Sequence, residues 1–356
     1  MCKFLVLAFL SLFLCVYVTA QVKDSLPPEE DFSQYANVED AGESSGKKYC
    51  TSKVIGLSPN KLISIGYDFQ ASNVLNHAAI TSLYQPEEMK IRSNSGLRLQ
   101  ANFPVISNSK WLLNLGVSYL ENNYSVENKT FINPVLNTLK NNGLRSAGVN
   151  STLFKPFDEK KFILLQSSFD WNGDYGLSLP QNNQLRISAA AIYGIKKHER
   201  LIYGFGIARS YRPGEQNYIP VWLYNYTFRN QKMGFEVLLP ARGHFRYSLN
   251  SRNILLAGFE LEGNSYRLNK MVNQNPVFPY RNVQLQRSEI RLRLIYEFSV
   301  YKFVWLSIQG GYRINYRYNL DQSEFFRGFF GDQQYLAENK LSNPLYFQIS
   351  LNLVSP

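Results

Sequence analysis

From about residue 60 to the end of the chain, large apolar residues and polar ones alternate one by one. In SEIRLRLIYEF (288–298), Ile290, Leu292, Leu294, Tyr296 and Phe298 interleave with Glu289, Arg291, Arg293 and Glu297. KLISIGYDF sets Ile63, Ile65, Tyr67 and Phe69 against Ser64, Gly66 and Asp68. GLRLQANF repeats the pattern around Arg98, and LRISAAAIYGI repeats it around Arg186. VWLSIQGGYRINYRY sets Val304, Leu306, Ile308, Tyr312, Ile314, Tyr316 and Tyr318 against Ser307, Gln309, Arg313, Asn315 and Arg317. A period of two is the mark of a strand with two unlike faces.

The connections carry a second regularity. Short turns fall at 105–110, 156–161, 196–200, 229–233, 250–253 and 299–302. Longer loops lie between them at 70–95, 121–143, 172–184, 211–218, 263–284 and 318–343, with one tight turn, PAR at 240–242, where a loop is expected. PVLNTLKNNG (134–143) reads as a short helix within the second long loop. An up-and-down meander with one trim end and one elaborated end has this rhythm, and it needs an even number of strands. About 14 fit, or 12 if the first strand or the 233–250 hairpin does not span.

A soluble sandwich also alternates, but its core is mostly aliphatic. Here the apolar face is rich in Tyr and Trp near strand ends (Tyr67, Tyr119, Trp171, Trp222, Tyr224, Tyr226, Tyr316, Tyr318). Rings placed there suit the interfacial girdles of a membrane barrel. The fold class expected is therefore all-β: a transmembrane antiparallel up-and-down β-barrel, long loops at one end and short turns at the other. On this reading the polar face lines a lumen, and the lumen-lining candidates are Arg98, Arg186, Arg287, Glu289, Arg291, Arg293, Glu297, Arg313 and Arg317. EFFRGFFGDQQY adds a candidate constriction from a long loop: Phe325, Phe326, Phe329 and Phe330.

The start of the chain changes the picture in one respect. MCKFLVLAFLSLFLCVYVTA has a basic residue, an apolar run and small residues before Gln21, so residues 1–20 read as a signal peptide cleaved after Ala20. Residues 21–55 read as an acidic disordered arm or loosely ordered plug, and 56–356 as the barrel. Cleavage removes Cys2 and Cys15 and leaves Cys50, which excludes an intramolecular disulfide and a Cys-based zinc site. Three histidines (His77, His198, His244) lie far apart in sequence; His77 and His198 read as solvated surface residues and His244 as luminal. No cofactor is implied. The net charge is +11, but the basic residues are spread along the chain, which argues against nucleic acid.

Two middle stretches, GEQNYIPVWLYNYTFRNQKMGFEVLLP and NILLAGFELEGNSYRL, resemble an uncharacterised family of bacterial outer-membrane β-barrels, labelled a domain of unknown function. The resemblance covers most of residues 55–354. It implies a bacterial outer-membrane location and the barrel fold, and no activity. This chain departs from the usual barrel ending, which closes on an aromatic residue, by ending LNLVSP.

An enzyme is not expected. His244 and Ser248 share a strand face but stand about 13 Å apart at strand rise, too far for proton transfer. The function expected is a passive or weakly selective small-solute channel with a basic, anion-preferring lumen. The alternative is a closed barrel that binds surface partners through its loops. Expected partners are outer-membrane lipid and lipopolysaccharide, the barrel-insertion machinery and small solutes.

Overall fold

The computed structural model describes residues 50–51, 54–127, 130–210, 217–322 and 335–355. The chain runs through β1 (Lys61–Gln70), β2 (Asn73–His77), β3 (Glu87–Ser107), β4 (Leu112–Val126), α1 (Pro134–Asn142), β5 (Leu144–Pro156), β6 (Lys161–Gly173), β7 (Leu185–His198) and β8 (Leu201–Ser210). It continues through β9 (Asn217–Thr227), β10 (Met233–Leu239), β11 (Arg242–Asn250), β12 (Asn253–Arg267), α2 (Asn269–Gln274), β13 (Val283–Tyr301), β14 (Val304–Gln322), β15 (Lys340–Leu341) and β16 (Leu345–Val354).

Each wall strand pairs antiparallel with its neighbours, and β1 closes the sheet by pairing with both β16 and β3. The small strands β2 and β15 pair with each other above the rim and stay out of the wall. The wall is thus a closed barrel of 14 strands, as the alternation predicts. Closure leaves no unpaired edge, which is how an all-β chain can hold together without a disulfide. Both ends of the barrel chain meet at the short-turn end, where Lys61 pairs with Val354 and Ser355 N donates to Asn60 O.

The short turns share a local device. Asn108 Oδ1 accepts from the backbone of Lys110 and Trp111, Asp158 Oδ1 from Lys160 and Lys161, and Asn230 Oδ1 from Lys232 and Met233. A short acceptor side chain satisfies the amides that a tight reversal leaves free. In the exposed 156–161 turn these amides also hold the Asp158 carboxyl below its usual value.

Apolar side chains point outward along the wall: Phe205, Val105 and Leu294 keep 60%, 57% and 54% of their surface exposed. Near the turn end of β9–β11 the outer aromatics touch in sequence. Tyr226–Phe228, Phe228–Phe235 and Phe235–Phe245 have centroids 5.1–5.7 Å apart. Such a surface is costly in water and compatible with hydrocarbon bounded by an aromatic girdle.

The wall is not equally tall all round. Strands β3, β13 and β14 run 21, 19 and 19 residues, whereas β8, β9, β10 and β11 run 10, 11, 7 and 9. The tight 239–242 turn joins the two shortest wall strands, so the rim at β10–β11 is low.

Candidate functional site: a divided lumen

Ladder pairing puts Asp68 (β1), Arg98 (β3), Glu262 (β12), Arg287, Glu289 and Arg291 (β13) and Arg313 (β14) on the inner face. They form one connected network. Arg313 Nη2 donates to both Asp68 oxygens at 2.6 Å, and its Nη1 donates to Gln70 Oε1 at 3.0 Å. Arg291 donates to Glu289 at 2.6 Å and pairs with Glu262 at 2.8 Å, while Arg287 holds the other Glu289 oxygen at 2.7 Å. Arg98 donates to Asp68 at 3.0 Å and to Glu262 at 2.7 Å. Because β13, β14, β16 and β1 stand between β12 and β3 in the wall, the Arg98–Glu262 contact crosses the bore.

Four arginines face three carboxylates, so the cluster carries one net positive charge and not a row of free cations. Tyr346 lies under Arg313 and Arg291, with its ring centroid 4.8 and 5.5 Å from the guanidinium carbons. Glu289, Arg291 and Arg313 are each 1% exposed. Charges so desolvated persist only when paired. The space left among Glu262, Asn264, Tyr266, Arg287 and Glu289 holds no water-sized sphere.

Smaller pairings continue above and below. Toward the turns Arg293 donates to His244 Nε2 at 3.0 Å and to Glu260, and Glu297 takes Lys61 Nζ at 2.5 Å and Ser307 at 3.0 Å. Toward the loops Arg186 donates to Gln284 Oε1 at 3.2 Å, and Ser265 donates to the same oxygen at 2.9 Å.

The opposite wall differs. The inner faces of β4–β8 present Ser118, Asn150, Gln166, Ser168, Ser188, Ala190, Gly206 and Ala208, all left half-buried. Gly116 sits where Asn102 and Asn150 fold over it: a Cβ there would come within 2.3 Å and 2.6 Å of their oxygens. Small neutral groups on this side leave room that the arginine side fills.

Each mouth has its own cover. At the loop end, Val135, Leu136 and Leu139 of α1 and Met271 and Val272 of α2 pack on Tyr124, Tyr266 and Tyr318, whose rings enter from β4, β12 and β14. Tyr124 and Tyr318 share a hydroxyl hydrogen bond of 3.2 Å. The α1 helix expected over 134–143 is present, capped by Asn133 Oδ1 on Val135 N and ended at Gly143 with φ 63°. Asp174 reaches across to cap α2 through the amides of Lys270 and Met271 at 3.0 and 2.7 Å, and Gly173 bridges to Arg267. Burial pushes the Asp174 carboxyl above its usual value. Among the described residues this apolar lid draws none of its members from β6–β11, and from that side the β6–β7 loop meets it through polar contacts of Asp174, Gln181 and Asn183. At the turn end, residues 50–51 and 54–60 run inside the ring of turns, with Cys50 and Val54 buried on Phe154, Phe162 and Ile202.

The structure brings Arg98, Arg287, Glu289, Arg291 and Arg313 into one cluster and sets Arg186, Arg293 and Glu297 at other heights of the same lumen. Arg317 is not luminal. A β-bulge at Tyr316 shifts the register between Ser288↔Arg317 and Glu289↔Asn315, which returns Arg317 to the outer face and turns Tyr318 inward, 2% exposed. His77 is also not a surface residue: at 2% exposure its Nδ1 contacts Ala78 O at 2.7 Å and Asn133 Nδ2 at 3.1 Å, and burial holds the ring below its usual pKa. His198 is exposed in its turn and His244 is luminal, as expected. Phe325, Phe326, Phe329 and Phe330 lie outside the described residues, as do residues 1–49. Asp68 stands on the polar face in the sequence but, like Glu260 and Glu262, is not among the lumen candidates, although each shares luminal parity with one of them. Among the described residues no group of His, Cys, Asp and Glu is arranged to hold a metal ion.

No protein-family model matches the chain, and no curated protein matches it. Solved structures with a similar course include an outer membrane channel from Pseudomonas putida F1 (10% identity, 86% of this chain and 99% of that one, TM-score 0.40). A Pseudomonas aeruginosa FadL homologue (8% identity, 84% and 91%, TM-score 0.38) and the NanC porin (10% identity, 82% and 100%, TM-score 0.33) are further examples. At these identities and TM-scores the likeness says nothing about cargo or activity.

Proposed function

We propose that the protein is a bacterial outer-membrane barrel that passes small polar solutes along an off-axis path, with weak ionic selectivity. The observation that carries this reading is the division of the lumen. One wall is filled by paired charges, while the mid-height of the β4–β8 wall is lined by small neutral groups that remain half-exposed. The outward apolar belt and aromatic rows support a setting in lipid, with the loops outside and the turns in the periplasm. Contact with lipopolysaccharide, and delivery by the barrel-insertion machinery, belong to the same reading.

The paired arginines argue against a strongly anion-preferring bore. With one net charge in the central cluster, the field along the path is weak, and neutral or singly charged solutes should pass with little discrimination. A closed barrel working through its loops is the second reading, favoured by the apolar lid at the mouth. Liposome swelling with sugars of graded size, together with reversal potentials in a planar bilayer, separates the two. Swelling by the smallest solutes with a reversal potential near zero is the expected result. A folded, inserted barrel that passes none of them would favour the second reading.

A further inference from the structure

We infer that residues 50–51 and 54–60 form a gate: a docked stopper that seals the turn end of the small-residue passage and must leave before solute can cross. The inference rests on the channel reading and adds its regulation. The segment belongs to no strand. It reaches β1 only at Lys61, after touching one turn after another on the side of the barrel where the lumen is least filled.

Apart from Asn60 O, which accepts from Ser355 N beside β1, its polar contacts run from the β5–β6 turn to β10. Cys50 N donates to Asp158 O at 2.9 Å in the β5–β6 turn, and Lys196 Nζ on β7 donates to Thr51 Oγ1 at 2.9 Å. Ile55 N donates to Glu199 O at 2.9 Å, and Ile55 O accepts from Thr227 Oγ1 at 2.7 Å. Ser58 donates to Glu236 Oε1 through both its amide and its hydroxyl, at 3.0 and 2.9 Å. The apolar side rests on luminal residues of the same strands, Phe154, Phe162 and Ile202.

Two features mark the segment as separable. It is attached by a handful of hydrogen bonds and a few apolar side chains, whereas every strand it touches is held by two full ladders, so it opens at lower free energy than the barrel. At Gly56 the backbone turns through φ 77°, and a Cβ there would lie 3.0 Å from Arg246 Nη1. A left-handed residue packed flat on a guanidinium fits a chain laid over a preformed surface. That surface is polar: Arg246, fully buried, pairs with Glu236 at 3.1 Å and donates to Thr227 at 2.9 Å. When the segment leaves, these groups become a hydrated exit, whereas on the arginine side the network beneath is untouched.

Cys50 reports the position of the stopper, being buried and reduced in the docked state. The test uses the full chain with Cys2→Ser and Cys15→Ser, so that Cys50 is the single thiol, inserted in lipid vesicles. Labelling of Cys50 by a water-soluble maleimide and vesicle swelling by a small sugar are followed together. They are compared between this protein and two variants altered only in the segment, Val54→Asp and Ser58→Ala; a heat-modifiable gel band verifies the folded barrel. Val54→Asp should speed labelling by at least about tenfold, because a buried valine becomes a charge, and should raise swelling in parallel; Ser58→Ala should move both less. Faster labelling with unchanged sugar flux overturns the gate and leaves the channel standing. Labelling of the starting protein as fast as in urea overturns the docked stopper itself. If folded Val54→Asp barrels label quickly and both they and the starting protein pass no sugar, the channel reading falls and the gate falls with it.

Discussion

The two sides of the lumen are built by the same strand alternation and end in opposite states. On one side, inward charged side chains from β12, β13, β14, β1 and β3 meet across the bore, with the neutral inner face of β16 among them. From β4 to β8 the inward positions at mid-height hold Ser, Asn, Gln, Ala and Gly, with Asp170 and Arg186 facing in nearer the loops and Phe154, Phe162 and Ile202 nearer the turns. The lesson is that period two decides which face a residue takes, while side-chain length and charge decide whether a bore exists. A barrel of 14 strands is wide enough to need one of these solutions on each side, and here it uses both.

The comparison breaks most visibly at Glu289, which accepts from Arg287 and Arg291 and lies 3.5 Å from Arg313. Glu289→Leu leaves three buried guanidinium groups short of a partner. The expected loss is about 3–5 kcal/mol, read from urea unfolding in detergent. Removing both ends of the cross-bore contact, Arg98→Met with Glu262→Leu, should cost less than the sum of the single changes, because neither charge is then stranded. A double change as costly as that sum would show that the two sides of the network are not coupled.

The small-residue side should respond in flux and not in stability. Ser188→Trp places a large ring where the wall is half-exposed, and the barrel should remain folded while sugar-driven swelling drops toward the empty-vesicle rate. Unchanged swelling in a folded Ser188→Trp barrel would locate the path elsewhere.

The lid offers a weaker and pH-dependent contrast. Asp174→Ala removes the cap from two amides of α2 and should lower lid stability by about 1 kcal/mol, seen as faster hydrogen exchange at Met271 N. Burial raises the folded-state value of this carboxyl above the ordinary 3.8. Between the ordinary value and the raised one, the folded lid keeps a proton that the unfolded segment has lost. Its stability therefore falls as pH rises through that window. Asp174→Asn should keep the cap and flatten the pH dependence. A protection that instead grows with pH there would contradict the raised value.

The barrel was legible because alternation, turn length and outer aromatics all repeat many times, so each strand supports the others. The filling of the lumen was legible only by half. Parity assigns Arg98, Arg291 and Arg313 to the inside but says nothing about height along the bore, and their partners sit far away in the chain: Asp68 is 245 residues from Arg313. Glu289 and Glu297 stand among the lumen candidates with the arginines, but parity alone does not show how closely Asp68, Glu262 and Glu289 meet Arg98, Arg291 and Arg313. The lid was hidden differently. Its apolar residues are scattered through loops, and only α1, with its Asn133 cap and closing Gly143, left a local signature. α2, six residues long and capped by an acid from another loop, left none.

The bulge at Tyr316 is the finest test of how far alternation can be trusted. A one-residue insertion in β14 reverses every later position, so Arg313 and Arg317 share parity in the sequence but lie on opposite faces. Arg313→Ala should then be severe, since it removes the bidentate partner of buried Asp68 and leaves it to Arg98 and Arg291, whereas Arg317→Ala should change stability by no more than about 0.5 kcal/mol. Tyr318 should behave as an interior residue, with Tyr318→Phe costing about 1 kcal/mol through the lost Tyr124 hydroxyl bond. Single cysteines sharpen the same point. A thiol at 317 should react with a lipid-soluble maleimide while one at 318 stays protected, and the reverse order would remove the bulge and restore Arg317 to the lumen.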